Sequence, residues 1–157
     1  MNEDVMGSAW FVDEVQKVTD SNQELLGLSS LDYKKTCLST HLDNKTYSDS
    51  SKNYVEVVEK MPNKIIYKVF SNDTGFIVFS EAFYKNGWVA KINGEVTDIH
   101  KVNYLLRGLE VEGGEHEIVF TFEPAAIKTG TFLMASSNIL LLILVFFYFR
   151  NLIKNVH

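Results

Sequence analysis

Two charges stand in apolar company. In "FIVFSEAF" (76–83), Glu81 shares a strand side with Ile77, Phe79 and Phe83, and in "YLLRGLEV" (104–111), Arg107 shares one with Leu105, Leu109 and Val111. A charge buried alone among such side chains costs several kcal/mol. Either the two pair with each other near a sheet end, or each leaves the core where its strand does and reaches water separately. Tyr84, Trp88 and Tyr104 lie close to them in sequence. Aromatic faces beside a carboxylate and a guanidinium can stack on a sugar ring and hydrogen-bond its hydroxyls, so Glu81, Tyr84, Trp88, Tyr104 and Arg107 form the candidate glycan-binding set. Trp88 also fits a plainer role as a core plug, because Ala90 and Ile92 follow it at period two.

Other chemistries find little material. His41, His100 and His116 are scattered, with no Cys-x-x-Cys or His-x-x-x-His spacing, so no metal site is expected. There is no nucleophile elbow and no phosphate-cradling glycine loop; no catalytic residue and no cofactor is assigned. The single cysteine, Cys37, can form no disulfide within the chain and reads as a small apolar strand residue. All twenty acidic residues but only thirteen of the fifteen basic ones precede residue 132, a formal charge of −7 that repels phosphate backbones and argues against nucleic acid as a partner.

The elements that must position these residues are mainly strands. "SAWFVDEVQKV" (8–18) is rich in aromatic and β-branched residues and predicts a first strand. A short helix follows, in which Ser21 and Glu24 have capping-box spacing and Leu25, Leu26 and Leu28 give an apolar face. "TCLSTHL" (36–42) predicts another strand, and the polar stretch 43–53 a mobile loop. From Tyr54 onward seven short β segments succeed one another, parted by turn formers such as Pro62-Asn63, "SNDTG" (71–75), Asn93-Gly94 and Gly113-Gly114. Trp88, Ala90 and Ile92 alternate with Lys91 and Asn93, and Ile118, Phe120 and Phe122 with Thr121, giving each strand one buried and one wet face. The fold class expected is mainly β: an antiparallel β-sandwich of jelly-roll or immunoglobulin-like type, with a short N-terminal helix and one C-terminal transmembrane helix.

That last helix is "FLMASSNILLLILVFFYFR". Phe132 to Phe149 are eighteen residues without a charge, about 27 Å of helix against a hydrocarbon core of ~30 Å. Small and polar residues, Ala135 to Asn138, occupy its first half and favour contact with other transmembrane helices. The organisation expected is a β domain over 1–128, the span over 129–150 and a tail over 151–157. Arg150 and Lys154 follow the span while Lys128 alone precedes it, which places the tail in the cytoplasm and the domain outside. No signal-like stretch opens the chain, so an outside domain is reconciled with this start by earlier spans preceding Met1.

The strings 7–20 and 80–124 resemble the carboxyl-terminal portion of the bacterial YfhO-like family of multi-pass membrane proteins. The resemblance is carried, in order, by Gly87-Trp88 leading to the Asn93-Gly94 turn, Asn103-Tyr104 with Arg107, Gly114 with His116, and Pro124 before the final helix. Asn93 stands where the family often has Asp, and Lys85-Asn86 where a proline often precedes the glycine. The resemblance implies a bacterial cell-membrane protein related to GT-C-type glycosyltransferases, which are implicated in adding sugars to envelope polymers from a polyprenyl-phosphate donor. Their expected catalytic carboxylates lie in an early outside loop to which nothing here corresponds. This chain is therefore expected to be an accessory, non-catalytic domain and last span, with the lipid bilayer, helices of the parent protein and an envelope glycan as partners. The alternatives are a complete small membrane-anchored binding or structural protein and, more remotely, a soluble enzyme with a buried terminal helix.

Overall fold

The computed structural model describes residues 6–48 and 50–155, which fall into two compact units, Met1–Phe122 and Glu123–His157. The first is built from strands. A four-stranded antiparallel sheet has the order β1-β7-β11-β10, from Ala9–Val12, Gly75–Ala82, Leu106–Val111 and His100–Val102. A five-stranded antiparallel sheet has the order β5-β6-β12-β8-β9, from Tyr54–Met61, Lys64–Ser71, Gly114–Phe122, Trp88–Ile92 and Glu95–Thr97. Their facing sides share one core in which Tyr67, Phe79 and Phe120 meet edge to face, with centroids 4.9 to 6.1 Å apart. The mainly β sandwich read from the sequence is the architecture of this unit.

The four-stranded sheet departs from the one-wet-face expectation. In β7 every residue from Gly75 to Phe79 is buried, because Phe76, Ile77, Val78 and Phe79 are consecutive large apolar residues and no alternation can send half of them to water. The second face is covered by a small third sheet, β3-β2-β4, from Thr36–Ser39, Glu14–Lys17 and Lys45–Thr46. Val12, Val15, Cys37, Phe76, Val78 and Val102 form the core beneath it. The expected first strand therefore splits at Asp13 into β1 and β2, serving two layers, and the segment 95–100 likewise divides into β9 and β10 in different sheets. β2 and β3 run parallel, joined through the helix α1, Ser21–Gly27.

The helix start is corrected by one residue. Asp20, not Ser21, is the N-cap, its carboxylate accepting from the amides of Asn22 and Gln23 at 2.8 and 2.9 Å. Glu24 is thereby released from capping and is fully buried. In the polar stretch 43–53, of which Asp49 lies outside the described residues, Lys45–Thr46 pair with β2 and Tyr47 packs on Phe76 at 5.9 Å. Lys45 and Tyr47 both bond the Glu110 carboxylate. Burial raises the Glu110 pKa, but these partners outweigh it and hold the group below the usual carboxylate range.

Turn chemistry follows the sequence reading. Asn93 and Gly94 have φ of 52° and 90°, as a two-residue hairpin between β8 and β9 requires. The outer strand β5 carries a bulge between Val57 and Glu59 that leaves Val58 without a partner in the ladder.

The second unit is one helix, α2, Ala125–Asn155, which starts before the expected span and runs on through most of the expected tail; residues 156–157 lie outside the described residues. Within it Gly130–Tyr148 is long and apolar enough to cross a membrane. Ser136 and Ser137 donate their hydroxyls back to the carbonyls of Phe132 and Met134, so these polar groups are satisfied inside the helix.

Two measurements test this packing. A Cβ on Gly108 would lie 2.5 Å from the fully buried Phe76 ring, so Gly108→Ala should destabilise the domain by about 1–3 kcal/mol in denaturant titrations. Gly94→Ala meets open space and should cost only its positive-φ strain, about 1 kcal/mol. Cys37 is wholly buried, and burial followed by the neighbouring Glu24 charge pushes its thiol up to about 12. An unfolded thiol ionises near ~8.5, so its protonated burial contributes stability below that pH and loses it progressively toward pH 12. Aromatic disulfide reagents at pH 8 should leave Cys37 untouched in the folded chain and react fully after denaturation; rapid labelling of folded protein would contradict this core.

Candidate functional site

The five candidate residues gather at one end of the sandwich, where β5, β7 and β12 finish and β6, β8 and β11 begin. They do not form one open site. Glu81 and Arg107 both sit on the core side of their strands, as their positions in the sequence indicate, yet they are not bonded to each other. The Glu81 carboxylate accepts the Tyr67 hydroxyl at 3.1 and 3.0 Å and pairs with Lys60 Nζ at 2.8 Å, its side chain only 13% exposed. Arg107 is 3% exposed and donates from Nε to the Ala82 carbonyl at 2.9 Å. Of the two options left by the sequence, neither holds. Each charge stays in the sandwich end and finds its own partners, because a β-bulge between Leu106 and Arg107 shifts Arg107 opposite Phe79 rather than Glu81.

The charges nevertheless feel each other. Burial lowers the Arg107 pKa and the Glu81 charge counteracts it, while burial first and Glu81 second hold the Tyr67 phenol well above its ordinary range. The guanidinium lies flat against aromatic faces, 4.3 Å from the Trp88 ring centroid and 5.4 Å from that of Phe120. Buried Arg107 Nη1 has no hydrogen-bond partner among the described residues, so ring faces stand where acceptors would be. Trp88 is thus partly buried and pinned from beneath by Arg107 and from the side by Phe122 at 5.3 Å. No side chain fits at the preceding position, where a Cβ on Gly87 would lie 2.3 Å from Phe122.

Tyr84 is the accessible member. It is 56% exposed, lies 6.4 Å from Phe122, and with Trp88, Lys85, Thr97, Asp98 and Ile99 lines an open groove of about 320 Å³. Tyr104 belongs to a different groove of about 370 Å³ with Trp10, Tyr33, Leu105 and Leu106. The structure therefore brings Trp88, Tyr84 and Arg107 together, sets Glu81 beside them as a support, and leaves Tyr104 on another face.

The contacts around Tyr104 escaped the sequence reading, in which Asn103 figured only as part of a family motif. Asn103 and Tyr104 have φ of 49° and 67° in succession, and the buried Asn103 bonds Leu38 twice, its side-chain Oδ1 accepting from the Leu38 backbone N–H and its own backbone N–H donating to the Leu38 carbonyl, both at 2.8 Å. One backbone and one side-chain bond together imitate a strand pairing and tie the third sheet to the β10–β11 turn. Asparagine before an aromatic residue at a tight turn is the signal, since it tolerates the left-handed region best. Lys101 reaches the buried Glu24 carboxylate at 3.6 Å and lies 4.9 Å over the Tyr104 ring. At the opposite end Asn93 accepts the Glu117 amide and donates to His116 Nδ1, while His116 Nε2 donates to the Glu112 carbonyl.

Chemically the cluster offers an aromatic wall, the Trp88 ring held between Arg107 and Phe122 with Tyr84 exposed beside it. Arg107→Ala should cost about 2–4 kcal/mol and redden Trp88 emission in a Trp10→Phe background, because the ring loses its support. Glu81→Gln keeps a Tyr67 acceptor and should cost about 1 kcal/mol. Should urea titrations rank them the other way, Glu81 rather than Arg107 organises this end.

Among known sequences, the family described as Bacterial membrane protein YfhO matches residues 25–134, from α1 through β12 into α2. No curated protein and no solved structure matches the chain.

Proposed function

Since the chain belongs to the YfhO family of bacterial membrane proteins, we propose that it serves as an accessory, non-catalytic extracytoplasmic domain and final membrane span of a glycosyltransferase-related protein, holding an envelope glycan against the Tyr84–Trp88 wall. The observation that carries this reading is the pinned Trp88 ring, backed at 4.3 Å by a buried guanidinium and flanked by the exposed Tyr84. Carbohydrate recognition favours such walls: an aromatic face that does not move covers the apolar side of a sugar, and polar groups on the rim take its hydroxyls. Lys85, Thr97 and Asp98 supply that rim.

The roles then divide. Tyr84 and Trp88 stack on the ring, Arg107 and Glu81 hold the wall rigid from beneath, and Tyr104 acts from its separate groove as a second, weaker contact for a longer chain. The basic residues after the span, Arg150 and Lys154, support a cytoplasmic tail. The Glu81 carboxylate, committed to Tyr67 and Lys60, is given a supporting and not a bond-making role.

Titration of the chain in nanodiscs with soluble envelope-glycan oligomers tests the reading. Binding should perturb Trp88 emission, and Tyr84→Ala should weaken it about 5–30-fold, the worth of one aromatic stack of about 1–2 kcal/mol. Thr74→Ala, on the opposite end, should leave it unchanged. No binding, or equal affinity for Tyr84→Ala, discards the glycan role.

A further inference from the structure

The two ends of the sandwich differ in chemistry. At the end where β12 begins, the turns carry Asn72, Asp73, Thr74, Asn93, Glu95 and Glu112, all polar and exposed, and the exposed large apolar residues near them are Tyr54 and Val96. At the end where β12 finishes, exposed large apolar and aromatic residues collect: Met61, Tyr84, Tyr104, Leu105 and Phe122, with Leu105 as much as 55% exposed. Lys60, Lys64 and Lys85 stand among them. Solvent-facing loops of a domain bathed in water on all sides have no reason to be so unequal.

The covalent chain supplies that reason. β12 ends at Phe122, and only Glu123 and Pro124 separate it from α2. Three Cα steps of 3.8 Å reach about 11 Å at full extension, and the five helical rises from Ala125 to Gly130 add about 7.5 Å. Whatever angle the two units adopt, Phe122 is thus held within about 20 Å of the start of the hydrocarbon, beyond which headgroups extend a further ~5–8 Å. The nine residues of β12 carry the polar turns about 30 Å away along the strand.

We propose that the loops at the β12-terminal end form a lipid-interface footprint, with Met61, Leu105 and Phe122 dipping toward the acyl boundary, Tyr84 and Tyr104 at headgroup depth and Lys85 on lipid phosphate, Lys60 and Lys64 being paired with Glu81 and Glu59. Interfaces select such a set: aromatic rings with one polar edge prefer the headgroup layer, and lysines extend their stems along apolar surface while their ammonium groups meet phosphate. The footprint rests on α2 crossing the bilayer and not on glycan binding; Tyr84, Tyr104 and Lys85 would serve one role or the other, whereas Met61 and Leu105 belong to the footprint alone.

Nitroxide quenching in nanodiscs reads the footprint directly. Single exposed cysteines are placed by Met61→Cys, Leu105→Cys, Thr74→Cys and Glu112→Cys, and labelled with an environment-sensitive dye; buried Cys37 stays unlabelled, and circular dichroism checks each fold. Leu141→Cys, with acyl-chain nitroxide, reports insertion of α2. With headgroup nitroxide, labels at 61 and 105 should be quenched severalfold more than those at 74 and 112. Equal quenching at both ends, or labels at 61 and 105 shielded from water-soluble quencher yet untouched by lipid nitroxide, overturns the proposal, the latter in favour of a protein partner. If the label at 141 is quenched while 61 and 105 are not, the footprint fails and the membrane span stands; if 141 is not quenched, the span itself fails.

Discussion

Strand β7 has nowhere to put a polar face. Four consecutive large apolar residues, Phe76 to Phe79, oblige the sheet that contains them to be covered twice, and most of the architecture follows. On one side the five-stranded sheet closes over Ile77 and Phe79; on the other Val12, Val15 and Cys37 must be brought over Phe76 and Val78. Gly108 is required because the Phe76 ring of the neighbouring strand lies so close over it that no side chain fits. Even the buried Asn103 belongs to this constraint, since it fastens the third sheet to the turn that feeds β11.

Where β7 leaves the double core, its charges take over. Glu81 and Arg107 were legible as anomalies because alternation put them on the apolar side, and so was the choice between pairing and escape. What alternation could not convey was the bulge at Leu106/Arg107, which changes the register by an amount no period-two reading contains. Arg107 therefore meets a tryptophan face and a carbonyl, and Glu81 a phenol and a lysine. Such partners come from strands distant in sequence, and their identity depends on a register fixed only when the sheets assemble.

Much else was readable for definite physical reasons. Asn93-Gly94 names its turn because few residue pairs accept two positive φ angles, and the apolar helix announces itself by length alone. The N-cap was misplaced because Asp20 and Ser21 are both capping residues in succession, and only the direction of Glu24, turned inward to Lys101, decides between them. The splitting of 8–18 into two strands was hidden because a single Asp13 suffices to pass the chain from one layer to the next. Family membership, resting on ordered motifs along most of the chain, was more legible than any single contact.

The irregularity in β5 has a bearing on crowding. Proteins tethered to a bilayer share two dimensions, so their domains encounter one another at high effective concentration, and an eight-residue outer strand with unused amides is a template for sheet-to-sheet fusion. The unpaired Val58 breaks that template in its middle, and Glu56, Glu59 and Lys60 set charges along the rest of it. Neighbouring copies can then jostle without zipping together.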